Sequence, residues 1–277
     1  MQKTTKKLVD SHHTNGDTVF ESTLGSEWSI RRTMGLMQRP TRPIWRRATV
    51  LAMRCEVPGQ ALWPWMPRIM RPPQNANVIL FAANFEDTSF GISYRELGLL
   101  VETRYFGKPV FHCPWMLVND DSALLQGREL FGFPKKMAQF SETKNGDSTN
   151  ILVQRRGVEL FSLSATIGEQ TKHRGIFTRP IVNVRGLPGP TPPALIYCKS
   201  SETIHQTHSV NATLKIQSSL YDPLDTLNLP EKPLECWQSV IDVAPGKKRL
   251  GELARQAFPV GIASPLWFTR VWPLRTW

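Results

Sequence analysis

Residues 127–138 read GRELFGFPKKMA and place Lys135 and Lys136 side by side, directly after Pro134. Two adjacent lysines repel each other, and taken alone such a pair is typical of a solvated turn. The surrounding sequence is apolar: Leu130, Phe131, Phe133 and Met137. These neighbours predict that the segment is buried and that the ammonium groups are buried with it. Desolvation and a neighbouring like charge both favour the neutral form of a lysine.

A neutral lysine at this position would be a nucleophile. An ordinary lysine has a pKa of about 10.4, so only about one molecule in 2,500 is uncharged at pH 7. Lowering that pKa by about 4 units leaves most of the population neutral, at a cost of roughly 5–6 kcal/mol in ammonium stability. The pair at 135 and 136 therefore predicts either a solvated turn or a lysine activated for covalent chemistry.

The segment GRELFGFPKKMA resembles the active-site lysine motif of the acetoacetate decarboxylase family. The resemblance implies that Lys135 forms a Schiff base with the substrate and that Lys136 is the neighbouring cation that lowers its pKa. Residues 86–98, EDTSFGISYRELG, are similar to the family segment whose Y-x-E triplet ends in an active-site glutamate, here Glu96. Residues 46–57, RRATVLAMRCEV, are similar to the early strand that brings an arginine to the site; Arg46 is the best match and Arg47 a competitor. The likeness continues in order over residues 40–245.

One position departs from the family pattern. Decarboxylases of this family carry a second acid about fifteen residues before the Y-x-E glutamate, where this chain has Phe81. The loss of a carboxylate at this position changes the charge and shape of the pocket. The chain could therefore be a Schiff-base aldolase or dehydratase as well as a decarboxylase. Phe133 and Met116 are expected to form apolar pocket wall.

The resemblance implies a mechanism and a substrate class. Lys135 would attack a keto acid, Glu96 would hold the iminium and transfer protons, and Arg46 would orient the substrate carboxylate or organise Glu96. Decarboxylation of a β-keto acid is the leading expectation and aldol addition with dehydration is the second. A non-catalytic binder of anionic ligands is the third. We expect no metal or organic cofactor. We expect the chains to associate as a homo-oligomer.

The charge and composition of the chain indicate which other classes of partner it could bind. Lys and Arg outnumber Asp and Glu by 34 to 23, for a net charge of +11. The arginines occur as scattered pairs rather than one stripe, which favours small anionic substrates over nucleic acid. The four cysteines are far apart and predict buried free thiols, and His205 and His208 would lie on opposite faces of a strand. Neither an apolar leader nor a membrane-spanning run of ~18 residues is present, so we expect a cytoplasmic protein with no membrane partner.

The remaining pattern predicts an α+β fold that is mainly antiparallel β. A helix is expected to begin after an N-cap at Asp120 or Asp121, and a hairpin tip is expected near Gly146. Strands are predicted within residues 45–57, 77–87, 138–157, 157–168, 195–217 and 234–248. The resemblance implies that this sheet twists into a barrel-like cone with a few flanking helices. We expect a partly ordered N-terminal arm over 1–40 and a single domain over 41–277 that ends in a Trp-rich tail.

Overall fold

The structure, a computed structural model, describes residues 43–185, 194–245 and 258–259. These residues belong to one compact unit that begins at Pro43. The predicted N-terminal arm, the proline-rich connection at 186–193 and almost all of the Trp-rich tail lie outside the described residues.

Strands dominate the described residues, and all of them join one sheet of fourteen strands. They are β1 (Trp45–Pro58), β2 (Asn75–Phe85), β3 (Asp87–Thr88), β4 (Tyr94–Tyr105), β5 (Lys108–Val118), β6 (Lys135–Met137), β7 (Gln139–Asn145), β8 (Ser148–Arg155), β9 (Val158–Gln170), β10 (Ile181–Arg185), β11 (Ala194–Cys198), β12 (Ser200–Ile216), β13 (Glu235–Pro245) and β14 (Phe258–Pro259). The α-helices of the described residues are α1 (Gly59–Leu62) and α2 (Asp121–Phe131), and the 3-10 helices span Trp63–Trp65, Arg68–Met70 and Leu224–Leu227.

The strand order is β14-β11-β10-β5-β4-β2-β1-β13-β12-β9-β8-β7, with β3 beside β1 and β6 beside β5. Neighbours are antiparallel except where β5 meets β10 and β6. The predicted fold class, mainly antiparallel β with few helices, is confirmed. Within the described residues this curved sheet has two free ends, so the strands do not close into a complete barrel.

Both faces of the central strands are buried, which explains their continuous apolar sequences. In β1, Leu51 and Met53 enter one core cluster while Val50 and Ala52 enter the other. The period of two along a strand divides consecutive residues between the two faces in this way. The second cluster, which also contains Phe81, surrounds the pocket described below.

Helix α2 and its two ends position the lysine segment. The Asp120 carboxylate accepts a hydrogen bond from the Ala123 amide at 2.7 Å, so Asp120 is the N-cap. The helix ends at Gly132, which has a φ of 66° in the left-handed region that glycine tolerates best. Phe133 and Pro134 then lead directly into β6. The predicted hairpin also forms, with Gly146 and Asp147 between β7 and β8.

Candidate active site

A buried lysine–glutamate pair forms the centre of the site. Lys135 is the first residue of β6 and lies opposite Met116 of β5 in a parallel register. Glu96 lies on β4, which pairs with β5 so that Glu96 faces Val118. The Lys135 Nζ donates a hydrogen bond to Glu96 Oε2 at 2.6 Å, and both residues are only 5% exposed. Two residues 39 positions apart are therefore brought together by three adjacent strands.

Helix α2 covers the aliphatic part of Lys135 through a glycine. A β-carbon added at Gly127 would lie 2.4 Å from Lys135 Cε and 2.5 Å from Cδ. These distances are far below the 3.5–4.0 Å at which carbon atoms pack most favourably. Gly127 is thus the residue that allows the helix to lie directly on the lysine side chain.

Aromatic side chains surround the amine. Lys135 Nζ lies 5.2 Å from the centre of the Tyr94 ring and 6.0 Å from that of Phe133. The Tyr94 hydroxyl accepts a hydrogen bond from Trp45 Nε1 at 2.9 Å. Burial, reinforced by the nearby Glu96 carboxylate, raises the pKa of Tyr94 well above its usual value. Tyr94 is therefore a neutral ring and a fixed wall of the site rather than a base.

The amine opens into a small pocket with a volume of about 90 Å³. This volume is well above the roughly 10–15 Å³ that a cavity needs to hold one water molecule, so a small organic molecule can enter. The lining is mainly apolar, and its aromatic members are Trp45, Phe85, Phe90, Tyr94, Phe131, Phe133 and Phe177. The charged residues of this lining, within the described part of the chain, are Glu96, Lys135 and Lys199.

A buried cysteine also lines the pocket. Burial raises the pKa of the Cys198 thiol to about 12, so this group is a neutral thiol at physiological pH. All four cysteines are free, as the sequence predicted, and Cys236 is the only one of them that is not fully buried.

Lys136 lies on the opposite face of β6, which corrects the expectation that its charge stands beside the Lys135 amine. Its Nζ donates to Asp222 Oδ1 at 2.7 Å and to the Tyr221 carbonyl at 3.0 Å. Burial lowers the pKa of Lys136, and the Asp222 carboxylate opposes that shift. The physical reason is the alternation of side chains along a strand: adjacent lysines are neighbours in sequence and opposed in space.

Arg46 is also displaced from the expected position. Its side chain is 48% exposed and pairs with Asp87 at 2.9 Å. The neighbouring Trp45, not Arg46, lines the pocket. Arg46 is therefore a surface residue, contrary to the expectation that it reaches the site. The alternative candidate, Arg47, has a φ of 47°, and its backbone amide donates a hydrogen bond to the Asp242 carboxylate.

Phe133, Phe81 and Met116, which the sequence analysis linked to the pocket, differ in how close they lie to it. Phe133 lines the pocket directly. Phe81 is completely buried and packs edge-on against the ring of Phe177, a residue of the pocket lining, with a centroid distance of 6.1 Å. Met116 is also buried, opposite Lys135 in the strand register, and is not part of the lining. Where the family pattern has a second acid, this chain therefore has an aromatic ring that packs against a residue of the pocket wall.

Residues 31–247 match the acetoacetate decarboxylase family. The chain belongs to the acetoacetate decarboxylase family. The resemblance inferred from the lysine motif is confirmed at that level, since the match covers well over half of the chain.

Curated members of the family match over a short segment. The acetoacetate decarboxylases of Acidiphilium cryptum and Burkholderia mallei are each 43% identical over 54 residues. That segment is 20% of this chain and 22% of each relative, so the match spans about a fifth of the curated relatives' length.

Solved structures share the fold over most of the chain. Acetoacetate decarboxylase from Legionella pneumophila superposes with a TM-score of 0.65 and 16% identity, covering 74% of this chain and 85% of that one. The enduracididine biosynthesis enzyme MppR, complexed with pyruvate, gives a TM-score of 0.60 and 16% identity over 76% and 91%. An acetoacetate decarboxylase-like enzyme from Sphingomonas wittichii gives 0.64 and 14% over 76% and 92%. At these identities the likeness is one of fold.

Sequence reasoning did not identify several residues of this family member's site. Tyr94 and Gly127 lie inside the quoted motifs, as the first residue of the Y-x-E triplet and the first of GRELFGFPKKMA, so a signal was present for both. Lys199 carried no local signal, because it directly follows β11 and reaches the pocket through the pairing of distant strands.

The described residues were also compared with the requirements of a metal site and of a membrane span. No group of three or more His, Cys, Asp or Glu side chains there is placed to hold a metal ion. None of the helices in the same ranges combines the length and the apolar content that a bilayer crossing requires.

Proposed function

We propose that this protein is a Schiff-base-forming lyase that acts on a keto acid. The observation that carries the proposal is the buried contact between Lys135 Nζ and Glu96 Oε2 at the inner end of an aromatic pocket. An amine and a carboxylate at 2.6 Å can exchange a proton, so Glu96 can take up and return the protons that carbonyl addition requires. Both groups are only 5% exposed, so little of the surrounding solvent reaches the reacting atoms.

The reaction begins with addition of the neutral Lys135 amine to the ketone carbon of the substrate. The carbinolamine loses one water molecule, with a proton supplied by Glu96, and gives an iminium ion on Lys135. The adjacent carbon–carbon bond to the carboxylate then breaks, CO2 leaves, and the electron pair of that bond enters the iminium to form an enamine. Protonation on carbon restores the iminium, and one water molecule hydrolyses it to product ketone and free Lys135.

Loss of CO2 is the reaction we place first. A carboxylate in an apolar cavity is destabilised because it loses its hydration, and the CO2 that replaces it carries no charge. The seven aromatic side chains of the lining provide such surroundings. The membership in the acetoacetate decarboxylase family supports the same assignment.

Aldol chemistry on the same lysine is the second candidate. It is favoured by Phe81, which leaves Glu96 as the only carboxylate of the pocket lining within the described residues. A structure of MppR contains the condensation product of pyruvate and imidazole 4-carboxaldehyde, and that protein has this fold. In this version Glu96 removes a proton from the carbon next to the iminium, and the resulting enamine attacks an aldehyde carbon to form a new carbon–carbon bond. Loss of water follows, and hydrolysis of the iminium by one water molecule frees Lys135.

Reductive trapping tests the proposal. The protein is incubated with acetoacetate or pyruvate in the presence of cyanoborohydride, which reduces the iminium to a stable secondary amine, and the adduct is mapped by mass spectrometry. We expect one adduct per chain at Lys135, none in Lys135→Arg, and an unchanged adduct in the matched surface variant Lys144→Arg. Absence of any Lys135 adduct across a panel of keto acids would overturn the proposal and favour a non-catalytic binder.

Product analysis separates the two reactions. Release of CO2 from acetoacetate by the unmodified protein, and not by Lys135→Arg, supports the decarboxylase. An adduct without CO2 release, together with a new carbon–carbon bond when an aldehyde is added to pyruvate, supports the aldolase.

A further inference from the structure

The pocket has a second cation near its rim. Lys199 lines the pocket and is exposed, whereas Lys135 and Glu96 at the inner end are 5% exposed. It directly follows β11, whose last residue, Cys198, directs its thiol at the Phe131 carbonyl of α2 at 3.8 Å. Lys199 is therefore held beside the helix that covers Lys135, at the open side of the same cavity.

The charges of the pocket leave Lys199 available for an anion. The positive charge at the Lys135 nitrogen, whether ammonium or iminium, is matched by Glu96 at 2.6 Å. No carboxylate among the described residues pairs with Lys199. A carboxylate that enters this largely aromatic cavity meets at the rim an ammonium that no described carboxylate neutralises, and a charge-assisted hydrogen bond can form there. The Ser200 hydroxyl lies next along the chain and also lines the pocket.

We propose that Lys199 binds a substrate carboxylate that is retained in the product. This inference rests on the proposed function, because it assumes that the substrate carbonyl reacts with Lys135. A carboxylate held by an ammonium is stabilised as the anion, and that stabilisation opposes its departure as neutral CO2. The group that leaves must therefore lie in the aromatic part of the cavity, while a group bound at Lys199 remains.

The substrate class follows from this division. It is a short keto acid that keeps one carboxylate through the reaction: either an α-keto acid that forms an enamine, or a keto diacid that loses its other carboxylate. Lys135 and Lys199 line one pocket of about 90 Å³, whose size favours a short substrate over a long one. Lys199 replaces Arg46 in the role of carboxylate recognition that the sequence had suggested.

Two probes that share the same ketone but differ in charge test the inference. Trapping at Lys135 is measured against concentration for pyruvate and for its methyl ester, which has the same ketone and no charge. We expect Lys199→Gln to raise the concentration for half-maximal trapping of pyruvate by roughly tenfold, the value of one charge-assisted hydrogen bond. The ester should be unaffected, and Lys199→Arg should restore pyruvate trapping. Lys215→Gln, an exposed lysine on β12, is the matched control.

The outcomes separate the two claims. Equal trapping of pyruvate by the unmodified protein and by Lys199→Gln would overturn the role of Lys199, and so would a parallel loss with the ester. An adduct that maps to Lys199 instead of Lys135 would overturn it as well. Failure of the unmodified protein to form an adduct with either probe, and with acetoacetate as well, would contradict the proposed function itself. An adduct with acetoacetate but with neither probe would overturn only the role of Lys199.

Discussion

Replacing Gly127 by alanine adds a single methyl group at the point where α2 lies on the reactive lysine. The new β-carbon would be 2.4 Å from Lys135 Cε and 3.1 Å from Nζ. Since carbon atoms pack best at about 3.5 Å or more, the end of the Lys135 side chain must move by about 1 Å. The obstacle is the flexible end of a side chain rather than backbone, so the helix can remain in place while the amine is displaced.

The expected effects on activity and stability differ in size. A displacement of about 1 Å exceeds the roughly 0.5 Å tolerance of a catalytic arrangement and can reduce a rate by about 100-fold. Added volume in a packed interior lowers the free energy of unfolding by about 1–3 kcal/mol. Replacing glycine by alanine inside a helix raises it by about 1 kcal/mol. The net loss in free energy of unfolding is therefore about 0–2 kcal/mol. Gly127→Ala should fold normally and react poorly.

The assay is the initial rate of cyanoborohydride trapping of pyruvate at Lys135, accompanied by urea denaturation. Leu125→Ala, a change at a 48% exposed position two residues earlier on α2, controls for altering the helix itself. A trapping rate in Gly127→Ala equal to that of the unmodified protein would refute the reasoning. A variant that is unfolded at 25 °C would refute the claim that the side chain, rather than the helix, moves.

Two further changes test other parts of the structure. Glu202→Gln should stabilise the fold above pH 4.5. Burial raises the pKa of Glu202 in the folded protein above its usual value of 4.5, so its charged form lowers stability as the pH rises above 4.5. When melting temperatures are compared from pH 4 to 8, the gain from the glutamine should therefore vanish below pH 4.5. The glutamine can still accept the Phe177 amide, and a pH-independent difference would contradict this account. Lys136→Ala should lower the free energy of unfolding by about 3 kcal/mol in urea, because it leaves the Asp222 carboxylate buried without its closest cation. Lys135 in the folded fraction should still form its adduct, since the two amines face opposite sides of β6; loss of the adduct at full folding would contradict that separation.

The sequence predicted features that depend on short-range patterns. Alternating and continuous apolar runs identified β1 and β2. The aspartates before an apolar segment placed the N-cap of α2 at Asp120 or Asp121, and the structure shows that it is Asp120. The lysine motif and the Y-x-E triplet identified Lys135 and Glu96, which the structure brings to within 2.6 Å of each other. These residues could be found because each lies in a contiguous segment whose pattern carries the signal.

The tertiary structure alone decided which charges share the cavity. Adjacency of Lys135 and Lys136 in sequence could not reveal that β6 turns their amines to opposite faces, one toward Glu96 and the other toward Asp222. Nor could it reveal that Lys199, 64 positions after Lys135, reaches the same pocket. Electrostatic interactions act through space, and the distances between these groups are set by strand register and by the order of strands in the sheet, neither of which is written in any one segment of the chain.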